Sequence, residues 1–172
     1  MPASSLFLRS YLTPVKTLLI VWHSQFGGTA QMAKAARDGA RDVGGVEVRF
    51  LHARDAGVSD LLGCDGLLIA TSENFGSLSG MTKDFLERVY YPCENRVEGR
   101  PYSVLVCAGS DGSGAMLQTD RIATGLRLKK VLPGIIHSSG VTAQPQKIPP
   151  AVLERCAELG GTLAVGLADG IF

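Results

Sequence analysis

The most constraining feature of this sequence is a series of short apolar runs separated by stretches with helical periodicity. Three runs are almost entirely apolar, as strands buried on both faces of a parallel sheet require, and they cover residues 17–22, 66–71 and 102–108. Residues 46–51 alternate apolar and charged side chains, which predicts a strand nearer a sheet edge. A weaker apolar run at residues 134–137 predicts a fifth strand.

The stretches between these runs predict helices over residues 29–43, 79–90, about 115–130, and from Pro150 onward. In the first of them, an inward face is predicted for Met32, Ala36, Gly39 and Val43. Strands that alternate with helices require crossover connections. We therefore predict an α/β fold: a doubly wound, five-stranded parallel sheet with helices on both faces.

Composition narrows the function classes. Seventeen Lys and Arg against sixteen Asp and Glu, with no run of like charges, argue against a nucleic-acid partner. The four cysteines form no CxxC pair, which favours reduced thiols in a cytoplasmic protein. Residues 1–15 are expected to be a loosely ordered leader before one domain, residues 16–172. The leader's longest apolar run is too short for a membrane span, so no membrane association is expected.

Ligands of an open parallel sheet bind beyond the carboxyl ends of its strands, so the loops there are the candidate site. The loop Ser24–Thr29 lies between a buried strand and a helix N-terminus, where backbone N–H groups favour an anion. Gly27 and Gly28 allow close approach, and the hydroxyls of Ser24 and Thr29 add donors. Thr29 also stands where an N-cap is expected. The loop contains no Lys or Arg, and a plain strand-to-helix turn is the alternative.

Other phosphate-binding and phospho-transfer classes do not match. GxxxxGK[ST] is absent, and no GxGxxG follows the first strand. A phospho-receiver is excluded because the third strand ends in Thr71 and Ser72 rather than in an aspartate.

Two segments resemble a known family. Ser24-Gln25-Phe26-Gly27-Gly28-Thr29 resembles the T/S-x-T-G-x-T phosphate loop of flavodoxins and departs from it at Phe26. The segment from Glu73 to Leu86 resembles the flavin-ring loop and following helix of flavodoxin-like NAD(P)H-dependent reductases. The resemblance covers nearly all of the chain after the leader, and it implies the strand order 2-1-3-4-5 and an FMN cofactor.

The resemblance also implies the cofactor-binding residues. For the phosphate they are Ser24, Gln25, Phe26 (through its backbone), Gly27, Gly28 and Thr29. For the flavin ring they are Ser72, Glu73, Asn74, Phe75 and Gly76, with Cys107, Ala108, Gly109, Asp111 and Gly112 on its pyrimidine side. No catalytic acid or base is required, because the cofactor itself performs the redox chemistry.

Several of these residues also have simpler interpretations. Phe75 is the expected aromatic contact of the ring, but it would also suit a core position. Cys107, at the end of a buried strand, is interpreted as a packing residue rather than a redox group. His23 is interpreted as a structural group, and no metal site is predicted because His52 and His137 lack neighbours at metal-ligand spacing.

The leading functional hypothesis is an oxidoreductase that takes electrons from NADH or NADPH and passes them to a quinone, a free flavin or another small acceptor. A flavodoxin-type electron carrier is the alternative, although flavodoxins are strongly acidic and this chain has a net charge of +1. A serine hydrolase using Ser110, Asp120 and His137 is a third hypothesis. Quinone oxidoreductases of the tryptophan-repressor-binding type carry an extra tetramer-supporting segment after the fourth strand. Its absence here favours a homodimer.

Overall fold

The computed structural model describes residues 14–141 and 144–172. Within them the chain forms seven strands: β1 (Lys16–Trp22), β2 (Val46–His52), β3 (Gly66–Asn74), β4 (Ser77–Leu78), β5 (Pro101–Ala108), β6 (Lys129–Lys130) and β7 (Ile135–Ser138). It also forms five helices: α1 (Gly28–Val43), α2 (Val58–Gly63), α3 (Gly80–Cys93), α4 (Ser113–Gly125) and α5 (Pro150–Ala168). Residues 1–13 of the predicted leader lie outside this description. None of the described helices is both long and apolar enough to cross a bilayer.

The strands form a parallel sheet in the order β2-β1-β3-β5-β6, with β7 also paired in parallel to β5. The prediction of a parallel, doubly wound sheet is confirmed. The predicted number of five strands in the order 2-1-3-4-5 is wrong in detail, because the described chain has seven strands and the fifth position is divided between two of them. Two short strands, β6 and β7, share the edge beside β5, because Pro133 and Gly134 interrupt it and proline lacks the N–H that a strand ladder needs. The remaining strand, β4, pairs antiparallel with the end of β3.

Helices cover both faces of the sheet because alternate residues of each central strand point to opposite sides. In β1, Leu18 and Ile20 pack with α1 and α5, whereas Leu19 and Val21 pack with α2, α3 and α4. Two apolar cores result, one on each face. This accounts for the unbroken apolar runs in the sequence, since a strand in the middle of such a sheet has no wet face.

Two helix predictions need correction. The helix predicted to reach residue 130 ends at Gly125, which releases Lys129 and Lys130 to form β6. Val43, predicted to face inward, is exposed in the last turn of α1, although Met32 and Ala36 are fully buried as expected. The six-residue helix α2 was not predicted because it is too short to show a periodic pattern.

Helices α1 and α5 pack backbone to backbone through glycines. A Cβ added to Gly160 in α5 would overlap the carbonyl oxygen of Ala36 in α1, and one added to Gly39 would overlap that of Ala157. Neither carbonyl can move without shifting its helix. This close contact sets the position of α1, whose N-terminus lies at the candidate site.

Replacing Gly160 with alanine should therefore destabilise the protein. We expect Gly160→Ala to lower the free energy of unfolding by about 1–3 kcal/mol, the usual range for overpacking. Gly161→Ala is the matched control: its added Cβ would come no closer than 3.3 Å to a neighbour. Its effect should stay within about 1 kcal/mol, because the gain in helix propensity offsets the tighter contact. Urea denaturation of both variants measures the difference, and equal effects would contradict the close packing of these helices.

Candidate functional site

A cavity of about 430 Å3 opens at the carboxyl ends of β1, β3 and β5. Most residues of the predicted site line it: Ser24, Gln25, Phe26, Thr29, Ser72, Glu73, Asn74, Phe75, Gly76, Cys107, Ala108 and Gly109. Four predicted residues do not line it, namely Gly27, Gly28, Asp111 and Gly112. Ser110, which lies within the predicted third loop, lines it too, and the sequence did not predict three others that do, namely Gly140, Val141 and Gln146. Three loops at the strand ends and a segment after β7 therefore meet at one concave surface.

The first loop turns directly into helix α1. Gly27 is the N-cap residue, and its φ of +86° is a left-handed conformation that favours glycine. No side chain caps this end of the helix. The prediction that Thr29 occupies the N-cap position is therefore wrong, because Thr29 already lies inside the first turn. The first turn carries no acidic residue, so the partial positive charge of the helix N-terminus is not neutralised there.

Three hydroxyl groups at this end of the cavity are buried without a hydrogen-bond partner among the described residues. They are Ser24 Oγ, Thr29 Oγ1 and Ser72 Oγ. Thr29 is 1% exposed and Ser72 is 8% exposed. A buried hydroxyl without a partner costs about 1–3 kcal/mol, so three of them beside one cavity indicate a polar ligand site.

Buried hydroxyls close by, which belong to the helix α3 N-terminus, are satisfied. Ser79 is the N-cap of α3, and its Oγ accepts a hydrogen bond from the backbone N–H of Thr82. Its own N–H donates to Thr71 Oγ1, and Ser79 Oγ lies 2.9 Å from Thr82 Oγ1. The chain thus pairs its structural hydroxyls, and the unpaired ones are concentrated at the cavity.

The second loop is a tight hairpin between β3 and β4. Asn74 pairs with Ser77, and the two residues between them, Phe75 and Gly76, both have positive φ values of 54° and 71°. This is the pattern of a two-residue hairpin turn, and it is strained for a residue with an aromatic side chain. The Phe75 side chain is fully exposed at the cavity, so the alternative interpretation as a core residue is wrong.

The carboxylate of Glu73 ties this hairpin to helix α4. One carboxylate oxygen accepts a hydrogen bond from the N–H of Gly112 at 2.9 Å, and the other accepts from the N–H of Ala115 at 3.0 Å. If Glu73 contacts the flavin ring as predicted, its carboxylate does so while it also accepts these two hydrogen bonds from the α4 N-terminus. A Cβ on Gly114 would overlap the carbonyl oxygen of Gly76, so the two segments are also in close contact.

The third loop, residues 109–112 between β5 and α4, contributes its first two residues to the cavity. Gly112 is the left-handed N-cap of α4, and Asp111 accepts a hydrogen bond from Ser113, so both lie at the helix start rather than on the cavity wall. Cys107 does line the cavity but is buried, and burial raises the pKa of its thiol. This agrees with the interpretation of Cys107 as a packing residue.

A segment after β7 forms the wall that the sequence did not predict. Gly140 and Val141 face the third loop, where Val141 lies against Gly109. Gln146 lies against the first loop, and its N–H donates to the carbonyl oxygen of Phe26 at 2.9 Å. Residues 139–149 include two prolines and two glutamines and have no periodic pattern, so the only available signal was their position after an edge strand.

His23, just before the first loop, forms a neutral pair with His52. The N–H of Arg54 donates to Nδ1 of His52, so the proton of His52 is on Nε2 and is directed to His23 Nδ1, 3.2 Å away. Burial, and then His52, lowers the pKa of His23, and burial, and then Arg54, lowers the pKa of His52 against an opposing effect of Asp55. The interpretation of His23 as a structural group agrees with this pairing.

The residues of the serine hydrolase hypothesis do not form a triad. Asp120 accepts hydrogen bonds from Tyr102 and Lys130, and among the described residues no hydrogen bond connects it with His137 or Ser110. Ser110 is exposed at the cavity rim. We therefore reject that hypothesis.

Known proteins share this architecture. Bacillus cereus flavodoxin 1 superposes with a TM-score of 0.74 at 17% identity, covering 88% of this chain and 99% of that one. A WrbA-like flavodoxin from Agrobacterium tumefaciens gives a TM-score of 0.71 at 16% identity, covering 90% and 98%. The chain has the flavodoxin-like fold.

Sequence relatives point the same way. A flavodoxin from Aquifex aeolicus is 31% identical over 97 residues, covering 56% of this chain and 50% of the relative. An NAD(P)H dehydrogenase (quinone) from Acidithiobacillus ferrooxidans is 30% identical over 118 residues, covering 56% and 59%. The chain thus spans only half to three-fifths of the length of these relatives, and no family model matches it. The resemblance to the flavodoxin-like superfamily is confirmed.

Removing the Glu73 carboxylate should loosen the start of α4. We expect Glu73→Ala to lower the free energy of unfolding by about 1–3 kcal/mol, as for hydrogen bonds to a charged acceptor, and to speed amide exchange at Gly112 and Ala115. Glu87→Ala is the control, because it removes an exposed ion pair with Lys83 that should contribute less than about 1 kcal/mol. If Gly112 and Ala115 kept their protection in Glu73→Ala, the capping role of Glu73 would be wrong.

The histidine pair should make stability depend on pH. Both folded-state pKa values lie below the ordinary value of 6.5, so the unfolded chain binds more protons and stability falls as the pH drops below about 6.5. We expect His52→Gln, which cannot titrate, to show a shallower loss between about pH 7 and pH 5. Urea denaturation at several pH values measures this slope, and an unchanged slope would contradict the proposed neutral pair.

Proposed function

We propose that this protein binds FMN in the cavity and acts as an NAD(P)H-dependent oxidoreductase toward a small acceptor. The observation that carries the proposal is the polarity of one cavity: unpaired hydroxyls and a helix N-terminus at one end, and an exposed aromatic side chain at the other. FMN has a matching polarity, with a phosphate at one end and a flat, largely apolar ring at the other. The volume of about 430 Å3 lies within the ordinary range of small-molecule sites.

The phosphate end fits the residues present. The phosphate would be held by the hydroxyls of Ser24 and Thr29 and by the first-turn N–H groups of α1. Both hydroxyls lack a hydrogen-bond partner among the described residues, and the N–H groups point along the helix dipole. Gly28 supports this arrangement because a Cβ there would overlap Gln146 Oε1 and lie 2.6 Å from Cys107 Sγ. A larger residue would therefore push the wall away from the loop.

The ring end fits as well. Phe75 offers an aromatic face, which Glu73 supports by fixing the hairpin on α4. On the opposite wall, the backbone from Cys107 to Gly109 follows a buried strand and presents peptide groups to the cavity. Exposed Val141 adds an apolar surface beside Gly109, which helps to exclude water.

The reductase activity rests on chemistry and on relatives rather than on a catalytic side chain. FMN, when bound, would supply the redox chemistry, taking electrons from NADH or NADPH and passing them to a quinone, a free flavin or a similar acceptor. The chain's own residues would bind, orient and shield it. Relatives named NAD(P)H dehydrogenase (quinone) from Acidithiobacillus ferrooxidans and Rhizobium meliloti support this activity.

An electron carrier of the flavodoxin type is the second candidate, and the relative named flavodoxin favours it. Both candidates use the same FMN site. They differ in whether a nicotinamide reduces the protein directly. We further propose a cytoplasmic location, a small-molecule rather than nucleic-acid or membrane partner, and a homodimer.

Thr29 gives a sharp test of the phosphate site. In Thr29→Val the buried, unpaired hydroxyl is replaced by a methyl group of similar shape, so the ligand-free protein should be as stable as wild type or more stable. FMN binding should weaken by roughly 1.5–3 kcal/mol, about ten- to a hundredfold, whereas riboflavin, which lacks the phosphate, should hardly change. Fluorescence titration with both flavins, combined with urea denaturation, measures all three quantities.

Thr119→Val is the matched control for this test. Thr119 is also buried in a helix, but its hydroxyl donates to the carbonyl oxygen of Ala115, and it does not line the cavity. Its substitution should leave FMN affinity unchanged. Equal weakening of FMN and riboflavin in Thr29→Val, or no weakening, would mean that this loop does not hold the phosphate.

Direct turnover separates the two candidate functions. We expect the FMN-loaded protein to be reduced by NADH or NADPH alone and to pass electrons to quinones or free flavin in a steady-state assay. Reduction only in the presence of a separate reductase protein would favour the electron carrier.

A further inference from the structure

Residues 145–148, here called the strap, lie beside the first loop. One backbone hydrogen bond joins the strap to the loop directly, and the Gln31 side chain bridges the two. Gln146 N–H donates to Phe26 O, as described above. From α1, the side chain of Gln31 donates through Nε2 to the carbonyl oxygens of Gly27, at 3.0 Å, and of Gln146, at 2.6 Å. Its Oε1 accepts from the N–H of Ile148 at 3.2 Å.

These bonds engage the acceptor groups of the first loop. Two consecutive carbonyl oxygens, those of Phe26 and Gly27, are engaged by the strap and by Gln31. Carbonyl oxygens would repel an anion, so holding them on the strap side leaves the opposite, N–H side of the loop for a ligand. The strap is therefore part of the electrostatic design of the anion site.

The Gln146 side chain lies at the start of α1. Its Oε1 lies so close to Gly28 that a Cβ on that glycine would overlap it, and it is 3.4 Å from Cys107 Sγ, which donates to it. Gln146 also lines the cavity. A carboxamide carries two N–H donors on the nitrogen next to its oxygen, and a half-turn about its last bond exchanges the two groups. Bound to an anion, the Gln146 side chain would therefore present its donors where the helix dipole attracts negative charge.

The donors of the first loop leave room for such a contribution. The side-chain donors of the loop are the hydroxyls of Ser24 and Thr29 at its ends and the exposed amide of Gln25, and no lysine or arginine is present. A phosphate monoester has three strongly accepting terminal oxygens at neutral pH. Neutral donors must satisfy all of them here.

We propose that Gln146 is a phosphate-binding residue of the FMN site, supplied by the strap and held in place by Gln31. This inference rests on the proposed function and adds to it a phosphate-binding residue that lies more than a hundred positions after the first loop in the sequence. It makes the strap, rather than a cation, the element that completes the anion site.

The test compares an acidic substitution at two amides. Gln146→Glu keeps the length of the side chain but places a carboxylate where the phosphate would be held. We expect FMN to bind at least about tenfold more weakly, because a hydrogen bond to a charged group is replaced by repulsion. Riboflavin should change by less than about threefold. Gln146→Ala, which removes the amide without adding a charge, should weaken FMN selectively but less.

Asn95→Asp is the control. It makes the same change from amide to carboxylate at an exposed position between α3 and β5, before the amino end of β5, whereas the cavity lies at the carboxyl end of that strand. It should leave both affinities unchanged. Gln31→Leu gives an independent readout, because it breaks the strap contacts without entering the cavity, and it should also weaken FMN more than riboflavin.

The outcomes distinguish the two levels of the proposal. If wild-type protein binds neither flavin, the proposed function is wrong and the inference fails with it. If wild type binds FMN but Gln146→Glu binds it equally well, only the inference is wrong. Equal weakening of FMN and riboflavin in Gln146→Glu would also overturn it, because it would show that the strap merely shapes the cavity.

Discussion

A buried hydroxyl without a hydrogen-bond partner lowers the stability of the folded chain, so such groups are rare away from functional sites. The arrangement of this site depends on three of them. Thr29, Ser24 and Ser72 come from two different strand ends, yet their unpaired oxygens lie beside one cavity. The nearby hydroxyls of Thr71 and Ser79 are fully engaged in capping α3. The same chain thus pairs polar groups where it builds structure and leaves them unpaired where a ligand would pair them.

The rest of the fold holds these groups in place. The glycine contact between α1 and α5 fixes the helix whose N-terminus faces the cavity. At the other end, the Glu73 carboxylate fastens the hairpin that presents Phe75, so that a strained aromatic residue stays exposed instead of collapsing onto the surface. Between them lie the carboxyl ends of β1, β3 and β5, which are central strands of the sheet and have an apolar core on each face. Rigid elements therefore position loops that on their own would have several conformations.

The sequence predicted those parts that follow from local patterns. The unbroken apolar runs predicted parallel strands. Of the residues after them, those from Ser72 to Gly76 line the cavity, as do those from Ser24 to Thr29 except Gly27 and Gly28. Interactions between distant segments were beyond its reach. Nothing in the local pattern indicates that Gln146 packs on Gly28, or that Glu73 caps a helix some forty residues later. Phe75 could not be placed either, because an apolar side chain alone does not distinguish a core position from a ligand contact.

A crystal structure of the protein saturated with FMN tests the central claim most directly. We expect the phosphate at the N-terminus of α1, within hydrogen-bonding distance of Ser24 Oγ and Thr29 Oγ1, and the ring beside Phe75. A flavin bound in the opposite orientation, with its phosphate toward the hairpin, or an empty cavity at saturating FMN would contradict the account.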